Sequence, residues 1–208
     1  MAATKEMGKR EERRVRHQEV SRTQILDAAE EVFASKGYHE ATIKEIAHRA
    51  EFSVGAVYSF FEHKDDLFVQ IYLRRGAEFM DGMRELMTEV RPPLEQLHTL
   101  ADYQVDFFRR HPNFGRLYLH TSPVVVGDLE TKLDALVADR YAEAMKLQAD
   151  MFRTGQGEGT IRPGDPAVVA RLFSAMVSAF QSTDLGAGSM TVGEFHDFLE
   201  GAFRARGS

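Results

Sequence analysis

The sequence of 208 residues contains no cysteine. Without thiols, the chain has no disulfide framework, no thiolate metal site and no cysteine nucleophile. It also lacks any apolar run near the roughly 20 residues that a helix needs to cross a bilayer. Residues 1–20 are charged rather than apolar, so we expect no secretory signal. These absences favour a cytoplasmic protein with no membrane partner.

The chain has no excess of positive charge, because its formal net charge is −6. The charge is unevenly spread along the sequence. Residues 1–64 contain 11 Lys and Arg and 11 Asp and Glu, so the whole net negative charge lies in residues 65–208. Nucleic-acid affinity depends on local cations near phosphates rather than on a basic total. The composition therefore does not exclude a DNA-binding segment near the start of the chain.

Catalytic motifs are also missing. No nucleophile elbow and no zinc-type histidine spacing occurs. The glycine-rich segment 155–159 superficially resembles a phosphate loop, but it lacks the Lys-Ser/Thr ending and a preceding strand. We therefore expect no catalytic residues, no metal and no cofactor, and a protein that is not an enzyme.

Helical periodicity runs through the chain, and no segment is convincing as a strand. The first helix is predicted to begin near Ser21, a suitable N-cap, and to end at Gly37. A long helix is predicted over about 128–153, and two final helices over about 166–184 and 191–205. The predicted fold class is all-α.

Residues 1–18 form a basic N-terminal arm in which Lys and Arg alternate with Glu. The pattern indicates either a frayed helix or a flexible, disordered arm. Basic arms often follow the DNA backbone or enter a minor groove. A solvated tail with no partner fits the pattern equally well, so the sequence leaves both interpretations open.

Residues 42–61 have the pattern of a helix-turn-helix. Thr42 is a predicted N-cap, and Glu45 three residues later completes a capping box. A turn at 51–53 leads to a second short helix, from Val54 to about Phe60, with Ser53 as its N-cap. Two short helices joined by a tight turn are typical of an element that places a helix in the DNA major groove.

The same region resembles the tetracycline-repressor (TetR) family of bacterial transcription regulators. The matching residues are Ile25-Leu26-Asp27-Ala28-Ala29, Phe33, Gly37-Tyr38, Thr42-Ile43, Ile46-Ala47, Ala50, Ser53, Gly55, Val57-Tyr58, Phe61, Lys64 and Leu67-Phe68. The resemblance implies a DNA-binding domain over residues 19–79 and a helical effector-binding and dimerisation domain over 80–208. It also implies a homodimer formed through the last two helices.

The resemblance assigns DNA contacts to side chains around the turn. The candidate DNA-binding residues are Thr42, Lys44, Ser53, Val54, Gly55, Tyr58, Ser59 and Lys64. Val54, Gly55 and Ser59 would face bases, because Gly55 permits close backbone approach and Ser59 can bond a base edge. Tyr58, Thr42 and Lys64 would contact phosphates, and Lys44 the flanking backbone.

Three residues depart from the family pattern. Glu51 stands where the turn usually has Gly, Ala56 lacks a common hydroxyl, and Phe60 replaces His or Tyr. These changes predict weaker phosphate anchoring, for which the basic arm could compensate.

Methionine and aromatic residues recur in the later helices. The resemblance implies an effector cavity there, and the candidate pocket residues are Met83, Met87, Phe107, Phe108, Phe114, Tyr118, Met145, Phe152, Met176 and Phe180. For any single residue, plain core packing is the alternative interpretation. The composition favours a small hydrophobic or aromatic effector over a sugar phosphate.

Taken with the resemblance, the sequence predicts a homodimeric repressor that binds double-stranded DNA at a pseudo-palindromic operator and is released by that effector. The alternative is a helical interaction protein that uses its DNA-binding domain only as an anchor.

Overall fold

The computed structural model describes residues 2–121, 133–184 and 190–206, and regular structure in this part of the chain is entirely α-helical. The helices are α1 (Ala2–Glu40), α2 (Ile43–Ala50), α3 (Val54–Phe60), α4 (Lys64–Thr88), α5 (Pro93–Arg110), α6 (Pro112–Thr121), α7 (Leu133–Gly157), α8 (Pro166–Asp184) and α9 (Val192–Phe203). The predicted all-α fold is confirmed.

The chain divides into two compact units, Met1–Ile71, here called the head, and Tyr72–Ser208, here called the body. Helix α4 begins in the head and ends in the body. The expected functional boundary between residues 79 and 80 falls within this helix, and it stays a prediction.

The first helix begins much earlier than predicted. It starts at Ala2 instead of near Ser21, and Ser21 is a buried residue inside the helix rather than its N-cap. The charged segment before Ser21 is helical, because its many Arg, Lys, Glu and Gln residues have high helix propensity. The predicted end is confirmed, since Gly37 has non-helical dihedral angles (φ 80°, ψ 164°) inside the range Ala2–Glu40.

The core of the head is formed by apolar side chains from α1 to α4. Ile25, Ile46, Val57 and Leu67 are each fully buried, one from each helix. Phe33 packs edge-on against Phe68, with ring centroids 5.5 Å apart. This core fixes the orientation of α2 and α3, the two helices of the predicted DNA-binding element.

In the body, α5 contacts α6, α7, α8 and α9, and α7 packs along α8. The rings of Phe152, Phe173 and Phe203 meet at centroid distances of 5.3–6.2 Å and join α7, α8 and α9 in one apolar core. The predicted start of the helix at 128 lies outside the described residues. Its end is at Gly157 rather than at 153.

Among the described residues, no helix is long and apolar enough to cross a membrane.

Candidate nucleic-acid interface and body cavity

The start of α2 is closed by the predicted capping box. The Thr42 hydroxyl accepts a hydrogen bond from the Glu45 amide at 3.3 Å, and the Glu45 carboxylate accepts from the Thr42 amide at 3.1 Å. Glu45 also pairs with Lys36, and the hydrogen bonds from Lys36 and Thr42 lower the pKa of Glu45. A phosphate at this helix end would therefore have to replace Glu45 as the acceptor, so the Thr42 contact stays a prediction.

The turn after α2 places Glu51 in the left-handed region, with φ 61° and ψ 34°. It is the only described non-glycine residue with a positive φ. Its amide and that of Phe52 close the helix end by donating to carbonyl groups of α2. Glu51, which departs from the family pattern, therefore adopts the backbone conformation for which glycine is the usual residue.

Helix α3 turns its buried side inward and its candidate DNA-binding side outward. Val57 is fully buried, whereas Val54 and Tyr58 are 39% and 53% exposed. A Cβ atom placed on Gly55 would meet no other atom within 4 Å. Packing within the head therefore gives no reason for a glycine here, and the Gly55 backbone is open to a partner.

The two serines of this element bond to their own helix. The Ser53 hydroxyl caps α3 by accepting from the Ala56 amide at 3.1 Å. The Ser59 hydroxyl donates to the Ala56 carbonyl at 2.6 Å. Ser59 is exposed and its oxygen still has acceptor capacity, so it can accept from a base edge without losing this bond.

The Lys64 ammonium is directed into the head. It donates to the carbonyl groups of Tyr38, His39 and Ala41 at 2.8, 3.2 and 3.0 Å. These bonds use the donors that a phosphate would need, so the contact predicted for Lys64 would require their release. The arrangement favours a positioning role for Lys64, while Lys44 is exposed on α2.

Two further anchors were not anticipated from the sequence. Arg22 donates to Gln70 at 2.7 Å and lies 4.5 Å from the ring centroid of Phe61. Tyr38 donates to Asp65, and its burial together with this bond raises the pKa of Tyr38 to about 12. Both contacts hold α1 against the segment that follows α3. They join residues 27 and more positions apart, so no local pattern could have indicated them.

The body contains an apolar cavity of about 60 Å³ between α4, α5, α6 and α7. Its lining residues are Tyr72, Leu73, Gly76, Phe79, Met80, Phe108, Phe114, Tyr118, Arg140, Tyr141 and Ala144. The only charged side chain among them is Arg140. Burial raises the pKa of Tyr141, which is consistent with a poorly hydrated wall.

Three of the candidate pocket residues, Phe108, Phe114 and Tyr118, line this cavity. The others lie elsewhere. Met83, Phe107, Phe152 and Phe180 are buried core residues, Met87 and Met176 are partly buried beside the core, and Met145 accepts a hydrogen bond from Ser174. In the cavity beside α4 the structure thus brings together the aromatic residues of α5 and α6 from that set, whereas Met176 and Phe180 line a separate apolar pocket between α8 and α9.

The candidate pocket residues predicted from the sequence do not include the cavity wall on α4. Tyr72, Gly76 and Met80 are spaced by four residues and share one face of α4. A glycine within such a stripe is the one available signal, because it leaves space where a side chain would pack. Arg140 and Tyr141 had no local signal, since only the fold brings α7 to this site.

In residues 2–121, 133–184 and 190–206, no group of three or more histidine or acidic side chains is arranged to hold a metal ion.

Comparison with known proteins agrees with the geometry of the head. Residues 25–71 match the model of the family described as bacterial regulatory proteins, tetR family. The chain is 28% identical over 156 residues to the HTH-type transcriptional regulator UidR of Escherichia coli (strain K12), covering 74% of this chain and 76% of UidR. It is 26% identical over 172 residues to the HTH-type transcriptional repressor NicS of Pseudomonas putida, covering 82% and 80%.

The fold also agrees with solved structures. The crystal structure of AibR in complex with isovaleryl coenzyme A and operator DNA superposes with a TM-score of 0.74 at 20% identity, covering 88% of this chain and 98% of that one. The matched segment contains α2, α3 and the caps described above. The head therefore carries a tetR-family DNA-binding domain, and the chain is similar over most of its length to DNA-binding transcriptional regulators.

Proposed function

We propose that this protein is a repressor that binds a pseudo-palindromic operator as a homodimer and leaves it when a small hydrophobic or aromatic effector occupies the body cavity. The observation that carries the proposal is the outer face of α3. Tyr58 is exposed directly after buried Val57, and the Gly55 backbone lies open on the same short helix. Two such helices about 34–36 Å apart would enter successive major grooves.

The proposed dimer uses α8 and α9. Val168 and Leu172 on α8 are 40% and 56% exposed, and Phe198 on α9 is 60% exposed. Large apolar side chains exposed together on neighbouring helices are typical of an interface. A dimer is also what a two-fold operator requires, since each protomer would read one half-site.

The proposed effector acts through α4. The cavity of about 60 Å³ is well below the roughly 300–1,000 Å³ of sites for larger ligands, so a bound effector must displace a wall or remain small. Helix α4 supplies five of the lining residues, and it begins at Lys64 in the head. An effector that binds better to a displaced α4 would favour that conformation by its differential affinity, typically about 1–3 kcal/mol.

The apolar lining supports a hydrophobic ligand, and Arg140 supplies one cation for an acidic group. The AibR complex contains isovaleryl coenzyme A, a thioester with a short branched acyl chain. We propose that a compact apolar group of the size of this acyl chain is the part of the effector that the cavity binds.

Selection of bound sequences from a random DNA pool tests the DNA-binding part. We expect an inverted repeat, bound with a steep salt dependence. Tyr58→Ala should weaken binding to all sequences alike, because a phosphate contact carries no sequence information. It should leave the salt slope nearly unchanged, because the tyrosine hydroxyl is uncharged and its loss changes no counterion release. Ser59→Ala should instead relax the preference at one base pair per half-site. Equal effects of both variants on operator and random DNA would contradict these roles.

Gly55→Ala is the sharpest variant of the head. The added methyl group meets nothing in the protein, and alanine favours the helix by about 1 kcal/mol. We therefore expect a fold that is unchanged or more stable, with operator affinity at least about tenfold lower because the backbone is held away from the bases. Unchanged affinity would show that α3 does not approach DNA at this residue.

Gly76→Leu tests the cavity. The glycine lines the cavity, and a Cβ atom there would meet nothing within 4 Å, so a side chain can start at this position without a clash. The further carbons of leucine should occupy the space that an effector needs. We expect operator binding to persist and effector-driven release to be abolished, with Gly76→Ala as the milder control. Normal release by an effector in the Gly76→Leu variant would place the effector site elsewhere.

A further inference from the structure

The segment of α1 from Gly8 to Val20, here called the arm helix, continues the head as one helix. Its residues are exposed, and the buried part of α1 begins at Ser21. Arg22 fixes this junction by bonding to Gln70 and stacking on Phe61. The arm helix is therefore held by the head at its C-terminal end.

Charges that alternate in the sequence separate in the helix. Arg10, Arg13, Arg14 and His17 follow the spacing i, i+3, i+4, i+7 and form one side, here called the basic face. Glu12 and Glu19 are seven residues apart and lie about 160° around the helix from this side. Arg14 is ion-paired with Glu11 at 2.6 Å, although its side chain remains 66% exposed.

The basic face borders an open groove of about 480 Å³ that extends to Ser21 and to Phe60 at the end of α3. Phe60 is the last residue of the helix that carries Tyr58 and Ser59. The basic face is thus continuous, within the head, with the surface proposed to read DNA.

We infer that the basic face of the arm helix binds the phosphate backbone of the DNA that flanks each operator half-site. The inference rests on the proposed DNA-binding role of α3 and adds a second contact region to it. A row of guanidinium groups on one side of a helix is complementary to the regularly spaced phosphates of a duplex. Residues 1–64 carry no net formal charge, but Glu12 and Glu19 lie on the other side of the arm helix from the basic face. The cations of the basic face are therefore concentrated on one side of the arm helix, where Glu11 pairs with Arg14.

The length of the arm helix sets the reach of this contact. From Gly8 to Ser21 it extends about 20 Å at 1.5 Å per residue. That length corresponds to about six base pairs at 3.4 Å each. Duplexes that end at the operator should therefore bind less tightly than duplexes extended by about ten base pairs on each side.

The test compares two charge-matched double variants on the short and the extended duplex at several salt concentrations. Arg10→Gln with Arg13→Gln removes two cations from the basic face. Lys9→Gln with Arg16→Gln removes two cations that lie on its margin or outside it. Glutamine has a helix propensity close to that of Arg and Lys, and circular dichroism checks that the helix persists.

We expect the Arg10/Arg13 variant to bind the extended duplex no more tightly than the short one. Its salt slope should be lower by about 3 to 4 for a dimer, since four cations are removed from the phosphates. The Lys9/Arg16 variant should keep most of the preference for the extended duplex. Equal effects of the two variants, or no dependence on the flanks in the unaltered protein, would overturn the inference.

Failure of the inference is distinguishable from failure of the proposed function. If the arm variants behave like the unaltered protein while Tyr58→Ala still weakens operator binding, α3 binds DNA and the arm helix does not. If no operator is enriched at all, the repressor proposal fails, and the same two double variants are then compared on random duplexes. Equal affinities of the two variants there would overturn the inference as well.

Discussion

In the head, most of the residues predicted to contact DNA lie on the surface of two short helices whose ends are fixed by Thr42, Ser53 and Glu51. In the body, the cavity is walled by side chains from four helices, and most of them are apolar. A surface site of this kind depends on local capping and spacing. A cavity depends on how distant segments pack, so small changes of side-chain volume decide whether it exists.

The largest expected effect is in the body core. Phe152→Ala should destabilise the protein by about 3–5 kcal/mol, because Phe152 is fully buried and packs against Phe173 and Phe203. Thermal or denaturant unfolding measures this destabilisation, and Phe152→Leu should cost less. A variant with normal stability and an altered effector response would instead make Phe152 a cavity residue, as the sequence suggested.

The next effect compares two glycines of α4. A Cβ atom on Gly82 would lie 2.4 Å from the Tyr103 hydroxyl, which donates to the Phe79 carbonyl at 2.6 Å. Gly82→Ala should therefore cost about 1–3 kcal/mol, since Tyr103 must move and break that bond. Gly76→Ala meets no atom and should be neutral or stabilising by up to about 1 kcal/mol.

Denaturant unfolding of Gly82→Ala and Gly76→Ala measures the difference in stability between a closely packed and an open position of α4. Equal stability changes would mean that α4 does not pack against α5 as tightly at Gly82 as the structure has it.

The sequence predicted the surface site of the head better than the cavity of the body. Thr42, Glu45 and Ser53 act within three residues of themselves, so their caps were predicted correctly. For the arm, the sequence left a frayed helix and a disordered segment equally open, and it predicted the start of α1 at Ser21 because serine is a good N-cap. The charged helix formers before Ser21 extend α1 to Ala2 instead.

The cavity shows the opposite limit. Phe108, Phe114 and Tyr118 lie on the consecutive helices α5 and α6, and all three are among the pocket residues predicted from the sequence. Phe79 joins them through ring contact with Phe108 between α4 and α5, and Arg140 and Tyr141 join them from α7. No local spacing encodes these contacts between distant helices. The sequence cannot distinguish Phe152 from Phe108, because both are phenylalanines on the apolar face of a helix. In the structure Phe152 packs in the body core, whereas Phe108 lines the cavity.

A smaller effect is expected at the turn of the head. Glu51→Gly should stabilise the head by about 1 kcal/mol, because a non-glycine residue at φ 61° carries a conformational cost of about 1–2 kcal/mol that glycine avoids. Gly37→Ala is the converse variant and should destabilise it, since Gly37 has φ 80°. Denaturant unfolding measures both. Lower stability of Glu51→Gly would show that the Glu51 side chain makes a stabilising interaction that outweighs its backbone cost.

The smallest effect is a pH dependence in the body. His98 on α5 stacks on His196 of α9 at 4.2 Å, and His196 bonds to Asp102 at 2.8 Å. Burial, followed by the nearby charge of His196, lowers the pKa of His98 from 6.5.

The folded protein therefore binds this proton more weakly than the unfolded chain, so the stability from His98 is complete above pH 6.5 and declines as the pH falls below that value. We expect the melting temperature to fall between about pH 7.5 and about pH 5.5, and to fall less in His98→Gln. His48→Gln, in the head, is the matched control and should keep the slope of the unaltered protein. If His98→Gln left the slope unchanged, the pH dependence would have to come from other groups, and the stacked histidine pair would contribute only packing between α5 and α9.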